Sequence, residues 1–156
     1  MFGVVKHSRH KSMSGQIYVM KPGIEILFVE DSAGDALLTG QIVAELPFRV
    51  KLTIARDGIQ ALMMLSDPSF RPSMIILDLS LPLISGHDVL ERNPQRDIPL
   101  VVFSASWNDV DVDRAFALGA SEYIQKPMDL AAYKEVIRGM IQKWAIGKNE
   151  TDEAVS

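Results

Sequence analysis

Met74 to Pro82 reads M-I-I-L-D-L-S-L-P, and this stretch decides how the rest of the chain is arranged. Its opening run is continuously apolar and includes two β-branched residues, which suits a strand buried on both faces of a parallel sheet. The run stops at a carboxylate, Asp78. Pro82 cannot supply a ladder N–H, so the strand ends before it and Asp78 stands at the carboxyl end. In open α/β sheets that rim is where ligands bind.

The same pattern recurs on both sides. Upstream, Ile24 to Val29 (I-E-I-L-F-V) predicts a first strand, closed by Glu30-Asp31-Ser32 with Ser32 as a helix N-cap. Ala36, Leu37, Ile42, Val43 and Leu46 follow at helical spacing until Pro47. Arg49 to Ala55 is the second strand, Arg56-Asp57-Gly58 a turn, and Ala61, Leu62, Met64 and Leu65 mark a second helix that stops at Asp67-Pro68. Met63 and Met64 are packing residues. Downstream, a short third helix runs from His87 to Arg92 before Asn93-Pro94, with His87 as a solvated first-turn residue. Pro99 to Phe103 is a fourth buried strand and Asp109 to Leu118 a fourth helix, with Gly119 as its C-terminal cap. Glu122 to Gln125 is the fifth strand. Asp129 opens a last helix whose apolar stripe, read as core, ends at Trp144.

Five strands alternating with five helices predict a single doubly wound (βα)5 domain, a flavodoxin-like α/β fold with a five-stranded parallel sheet of order 2-1-3-4-5, spanning residues 23–146. Residues 1–22 show no clear periodicity and read as a mobile basic arm, and residues 147–156 as a polar tail. His7 and His10 in that arm could bind a metal, although a solvated basic tail is the simpler reading. Translation could begin at Met1, Met13 or Met20. The chain of 156 residues is large enough to bury a core. It holds no cysteine, which excludes disulfides and thiolate metal sites and fits a cytoplasmic protein; no apolar run is long enough to span a membrane. The net charge of −4 divides into +4 over residues 1–21 and −8 over the remainder. An acidic body is a poor partner for nucleic acid, so direct nucleic-acid binding by the domain is discounted.

The polar residues that end the strands share one rim: Glu30, Asp31, Asp78, Ser104 and Lys126. Crowded carboxylates repel unless a hard cation neutralises them. Mg²⁺ suits that role, since it prefers oxygen ligands and is often held by one or two carboxylates together with a phosphoryl oxygen. A carboxylate beside Mg²⁺ with a lysine opposite forms a phosphoryl-transfer site, with Asp78 as the nucleophile.

These segments together resemble the receiver domain of two-component response regulators, over residues 24 to 145. V-E-D-S (Val29–Ser32) resembles the family's acidic pair, A-R-D-G-I-Q-A-L (Ala55–Leu62) its second-strand turn, and I-I-L-D-L-S-L-P-L-I-S-G (Ile75–Gly86) its phosphoacceptor segment. V-V-F-S-A-S (Val101–Ser106) and G-A-S-E-Y-I-Q-K-P (Gly119–Pro127) complete the set. The resemblance implies that Asp78 is the phosphoacceptor. Asp31 would hold Mg²⁺ directly, Glu30 through water, and Ser80 by its backbone carbonyl. It further implies Ser104 as the switch hydroxyl, Tyr123 as the switch aromatic, Lys126 as the phosphate-binding lysine, and a cis Lys126–Pro127 bond. Ser85 stands where the family commonly has Asp, Ser104 where it more often has Thr, and the third helix is short. Ser80 and Ser106 hold positions that, by resemblance, tune water access to the acyl phosphate.

V-E-D-S-A-G-D-A-L-L-T (Val29–Thr39) and Trp144 are similar to stand-alone regulators that serve bacterial phytochromes. The implied phosphodonor is a sensor histidine kinase or a phosphotransfer protein. With no output domain recognised, the signal would leave by contacts with a downstream protein on the face of helix four, strand five and helix five, where a homodimer could also form. On this resemblance the chain catalyses only its own phosphorylation and dephosphorylation. Two other readings stay open. An aspartyl-nucleophile phosphatase or phosphotransferase would want its nucleophile after strand one, with a second Asp two residues on, which Glu30-Asp31-Ser32-Ala33 lacks. A flavodoxin-type binder would want a Ser/Thr/Gly-rich loop there instead of acids.

Overall fold

The computed structural model describes residues 8–11, 17–20 and 23–147. Two short strands, β1 (Ser8–Lys11) and β2 (Ile17–Met20), pair antiparallel. They lie inside the segment expected to be a mobile arm, whose composition gives no alternation to announce a strand. Met1, His7 and Met13 fall outside the described residues, as do 148–156 of the expected C-terminal tail.

The domain alternates as expected: β3 (Ile24–Val29), α1 (Ala33–Ala44), β4 (Val50–Ala55), α2 (Gly58–Leu65), β5 (Met74–Leu77), α3 (Gly86–Arg92), β6 (Leu100–Ser104), α4 (Asp109–Ala117), β7 (Glu122–Gln125) and α5 (Leu130–Ile141), which runs into a π-helical turn at Gln142–Ile146. The five parallel strands lie in the order β4-β3-β5-β6-β7. Counted within the sheet alone, that is 2-1-3-4-5.

Strand side chains alternate between two cores. Leu27, Val29, Ile75, Leu77, Leu100 and Val102 face α2, α3 and α4, where Ala61, Leu65, Val89, Leu90 and Ala115 meet them. Ile26, Phe28, Met74, Ile76, Val101 and Phe103 face α1 and α5, packing on Ile42, Val43, Tyr133, Ile137 and Met140. Both sheet faces are thus covered, which is why the central strands carry no polar alternation. The α-helix starts are fixed by side-chain caps from Ser32, Asp57, Ser85, Asn108 and Asp129. Gly119 ends α4 at φ 109°, the left-handed region that only glycine adopts cheaply.

Three local expectations change, the first at Met63, expected to pack but 71% exposed on α2. The Lys126–Pro127 bond is trans, as is every peptide bond among the described residues. Trans is the lower-energy isomer by about 0.5–1 kcal/mol, and Lys126 is already fixed by its N–H to the Ser104 carbonyl at 2.8 Å. His87 is buried rather than solvated, at 6% exposure, because α3 turns the face bearing His87 and Leu90 inward. Its Nε2 lies 3.4 Å from Asp111 Oδ1 of α4. Trp144, in the π-helical turn, is half-buried and packs against the α1/α5 core as expected, and its Nε1 also donates to Glu122 Oε2 of β7 at 3.1 Å.

Candidate functional site

The ladders continue past the strand ends and aim the site residues. Glu30 N donates to Ala55 O at 2.9 Å, Asp78 N to Val29 O at 3.0 Å, and Lys126 N to Ser104 O at 2.8 Å. Each functional residue is therefore the first one beyond its strand, still hydrogen-bonded to the neighbouring strand. A loop residue with free backbone would scatter; these cannot.

The carboxylate oxygens of Glu30, Asp31 and Asp78 can lie within 4.8 Å of one another, the separation of ligands around a common ion. Glu30 is fully buried, Asp78 is 6% exposed and Asp31 is open to solvent. Ser80 N donates to Asp78 Oδ1 at 3.1 Å, which fixes one face of that carboxylate. The other oxygen, Oδ2, accepts from Lys126 Nζ at 3.0 Å. The same ammonium donates to Glu30 Oε1 and, at 2.8 Å, to Asp35 Oδ2. Its Nζ also lies 5.9 Å from the centroid of the buried Phe103 ring.

Glu30, Asp31, Asp35 and Asp78 set four carboxylates against the ammonium of Lys126, and burial together with this crowding shifts the protonation. Burial pushes the Glu30 carboxyl up to about 7 against the hydrogen bond from Lys126, and the Asp78 charge adds to the rise. Burial works against the Lys126 ammonium too, yet Asp35, Glu30 and Asp78 outweigh it and hold its pKa well above the ordinary lysine value. Oxygen donors alone, crowded and under-neutralised, fit Mg²⁺ or another hard divalent cation.

Of the sequence-predicted residues, Glu30, Asp31, Asp78 and Lys126 converge. Ser80 touches Asp78 through its backbone N–H. Ser104 is fully buried, and its hydroxyl pairs with Ser106 Oγ at 3.3 Å rather than with the carboxylates. Tyr123 is buried; its hydroxyl donates to Ser106 O at 2.8 Å and its ring meets Trp107 edge-on at 5.2 Å. The hydroxyl and the aromatic thus both hydrogen-bond to Ser106. Sequence reasoning missed Asp35. The signal was present: Ser32 caps α1 by accepting from Asp35 N at 3.2 Å, the S-x-x-D spacing that puts Asp35 in the first turn beside the acidic pair.

The loop after Asp78 is closed by Gly86 N donating to Leu79 O at 3.0 Å. A Cβ on Gly86 would lie 2.5 Å from Leu79 Cα and 2.6 Å from Asp78 O, both backbone atoms that cannot swing aside. Gly86→Ala is therefore expected to cost about 1–3 kcal/mol by overpacking. A urea unfolding midpoint equal to that of the parent would contradict this.

The sequence profile of the response regulator receiver domain matches residues 26–138. Response regulator Rcp1 of Synechocystis sp. is 34% identical over 128 residues, covering 76% of this chain and 87% of Rcp1. The probable methanogenesis regulatory protein FilR2 of Methanothrix harundinacea is 32% identical across 84% of this chain and 90% of its own length. Among solved structures, the phosphorylated cyanobacterial phytochrome response regulator RcpA superposes with a TM-score of 0.74 at 30% identity, over 79% of this chain and 94% of RcpA. The Mn²⁺-bound form of Rcp1 gives 0.70 at 32% identity, over 78% and 94%. With a profile match across most of the sequence, relatives above 30% identity and the five-stranded parallel sheet in common, this chain belongs to the response regulator receiver domain family.

Proposed function

We propose that the chain accepts a phosphoryl group on Asp78 from the phosphohistidine of a sensor histidine kinase or phosphotransfer protein, with Mg²⁺ held by Asp31, Asp78, the Ser80 carbonyl and, through water, Glu30. The observation that carries this is one ammonium, Lys126 Nζ, 3.0 Å from Asp78 Oδ2 beside an acidic group spaced for a shared ion. In the transfer, an Asp78 oxygen forms the new O–P bond as the donor's N–P bond breaks, and the imidazole leaves and is reprotonated from solvent. Bound Mg²⁺ would supply charge compensation for the equatorial phosphoryl oxygens. Lys126 would neutralise the oxygen on the opposite side. Ser104 would turn from Ser106 toward the new dianion, and the Ser106–Tyr123 hydrogen bond passes that change to the β7 face.

Output then needs only a population shift of a few kcal/mol between two packings of α4, β7 and α5. Val110 and Phe116 on α4, Met128 and Leu130 are exposed there, suited to a protein partner or a second copy of the chain. The resemblance to Rcp1 and RcpA supports a phytochrome-class kinase as donor. Among the described residues no helix is long and apolar enough to cross a membrane. We place the reaction in the cytoplasm on the cysteine-free sequence. The chain would catalyse only its own phosphorylation and dephosphorylation.

The test is intact-mass measurement after incubation with acetyl phosphate. One phosphoryl group should be gained with Mg²⁺ and none with EDTA; a gain independent of the cation would refute the site. A pH dependence follows from Glu30. Its folded-state value of about 7 lies above its ordinary 4.5, so the cation-free folded chain retains this proton between those limits. Any stability from that proton is complete below about pH 4.5 and declines as pH rises through 7. The cation favours the carboxylate, so Mg²⁺ affinity should rise from pH 6 to pH 7, then level off above it. A flat affinity across pH 6–8 by isothermal titration would contradict the assignment.

A further inference from the structure

The Lys126 ammonium has three carboxylate partners, and they are not equivalent. Glu30 and Asp78 belong, with Asp31, to the oxygen group spaced for a common ion; Asp35 does not. Asp35 stands on α1, its backbone N–H fixed to the Ser32 cap, and its side chain is one-third exposed while that of Lys126 is 10% exposed. A cation that draws in Glu30 and Asp78 leaves Asp35 as the partner still available to Lys126.

We propose that Asp35 is a positioning residue that tethers the Lys126 ammonium to the α1 side of the site, so that ammonium and divalent cation divide the carboxylates instead of competing for them. Without the tether, Lys126 settles on Glu30 and Asp78, and a cation must displace it from both. The tether is a property of the cation-free chain; its effect on the cation rests on the phosphoacceptor reading.

Two readouts on the full chain separate these. The first is hydrogen exchange of the Lys126 ammonium in the cation-free protein, followed by ¹⁵N NMR and assigned by its loss in Lys126→Met. Asp35→Ala removes the acceptor and frees one of the three N–H groups, so exchange should accelerate about fivefold or more, and Asp35→Glu should restore protection. Unchanged exchange overturns the tether. The second is Mg²⁺ affinity in a double-mutant cycle. Asp35→Ala should weaken binding about fivefold when Lys126 is present and leave it nearly unchanged in Lys126→Met. An equal loss in both backgrounds would show that Asp35 acts only as a distant charge, and overturns the positioning role. Accelerated exchange in Asp35→Ala, together with no Mg²⁺ binding by the parent chain, would uphold the tether and sink the phosphoacceptor reading instead.

Discussion

Asp78→Asn is expected to bring phosphoryl incorporation from acetyl phosphate down by at least ~10³-fold, to the background of the untreated chain, because an amide oxygen has no free charge with which to attack phosphorus. The substitution is nearly isosteric, and the Asn side-chain oxygen can still accept the Ser80 N–H that holds the position now. The site also loses one carboxylate of a crowded set, Glu30, Asp31, Asp35 and Asp78, that Lys126 alone does not balance. The melting temperature should therefore not fall, and lost labelling cannot be ascribed to unfolding. Labelling of the Asn variant at a tenth of the parent rate or more would move the phosphoacceptor elsewhere.

The largest effect on stability is expected at Phe103. It is fully buried in β6, its ring centroid is 5.3 Å from that of Tyr133 on α5, and it lies beneath the Lys126 ammonium. Phe103→Ala removes the ring from a packed two-sided sheet, at a cost of about 3–5 kcal/mol. Urea unfolding of the two chains under identical conditions measures it. A difference below about 1 kcal/mol would mean that the α1/α5 face collapses into the space and is less tightly packed than described. Because Phe103 also supports Lys126, the same variant should weaken the contact between the ammonium and Asp78.

Much of this was legible in the sequence because burial on both sheet faces leaves a plain signal. Met74–Leu77 could be read at its true limits, since this central parallel strand is an uninterrupted apolar run that ends at its first polar residue, and Ile24–Val29 likewise, with Glu25 as its single polar interruption near the open end. The same logic brought Glu30, Asp78 and Lys126 to one rim, as each immediately follows a strand. What could not be read depends on neighbours distant in sequence. His87 looks like a solvated first-turn residue until α4 brings Asp111 within 3.4 Å of it. Asp35 looks like one half of a helix cap, and only the return of β7 supplies Lys126. The trans Lys126–Pro127 bond had no local sequence signal and was expected otherwise from resemblance alone. The β1–β2 ladder is a pairing of short segments with no alternating pattern to reveal it.

The most direct test of the site is where the phosphoryl group is carried. After acetyl phosphate and Mg²⁺, reduction with borohydride converts an aspartyl phosphate to homoserine, and tandem mass spectrometry of the peptides then locates it. Homoserine is expected at position 78 and at no other acidic residue; homoserine at Asp31 or Asp35, or a phosphoryl group on a histidine or serine with Asp78 intact, would contradict phosphoryl transfer to Asp78.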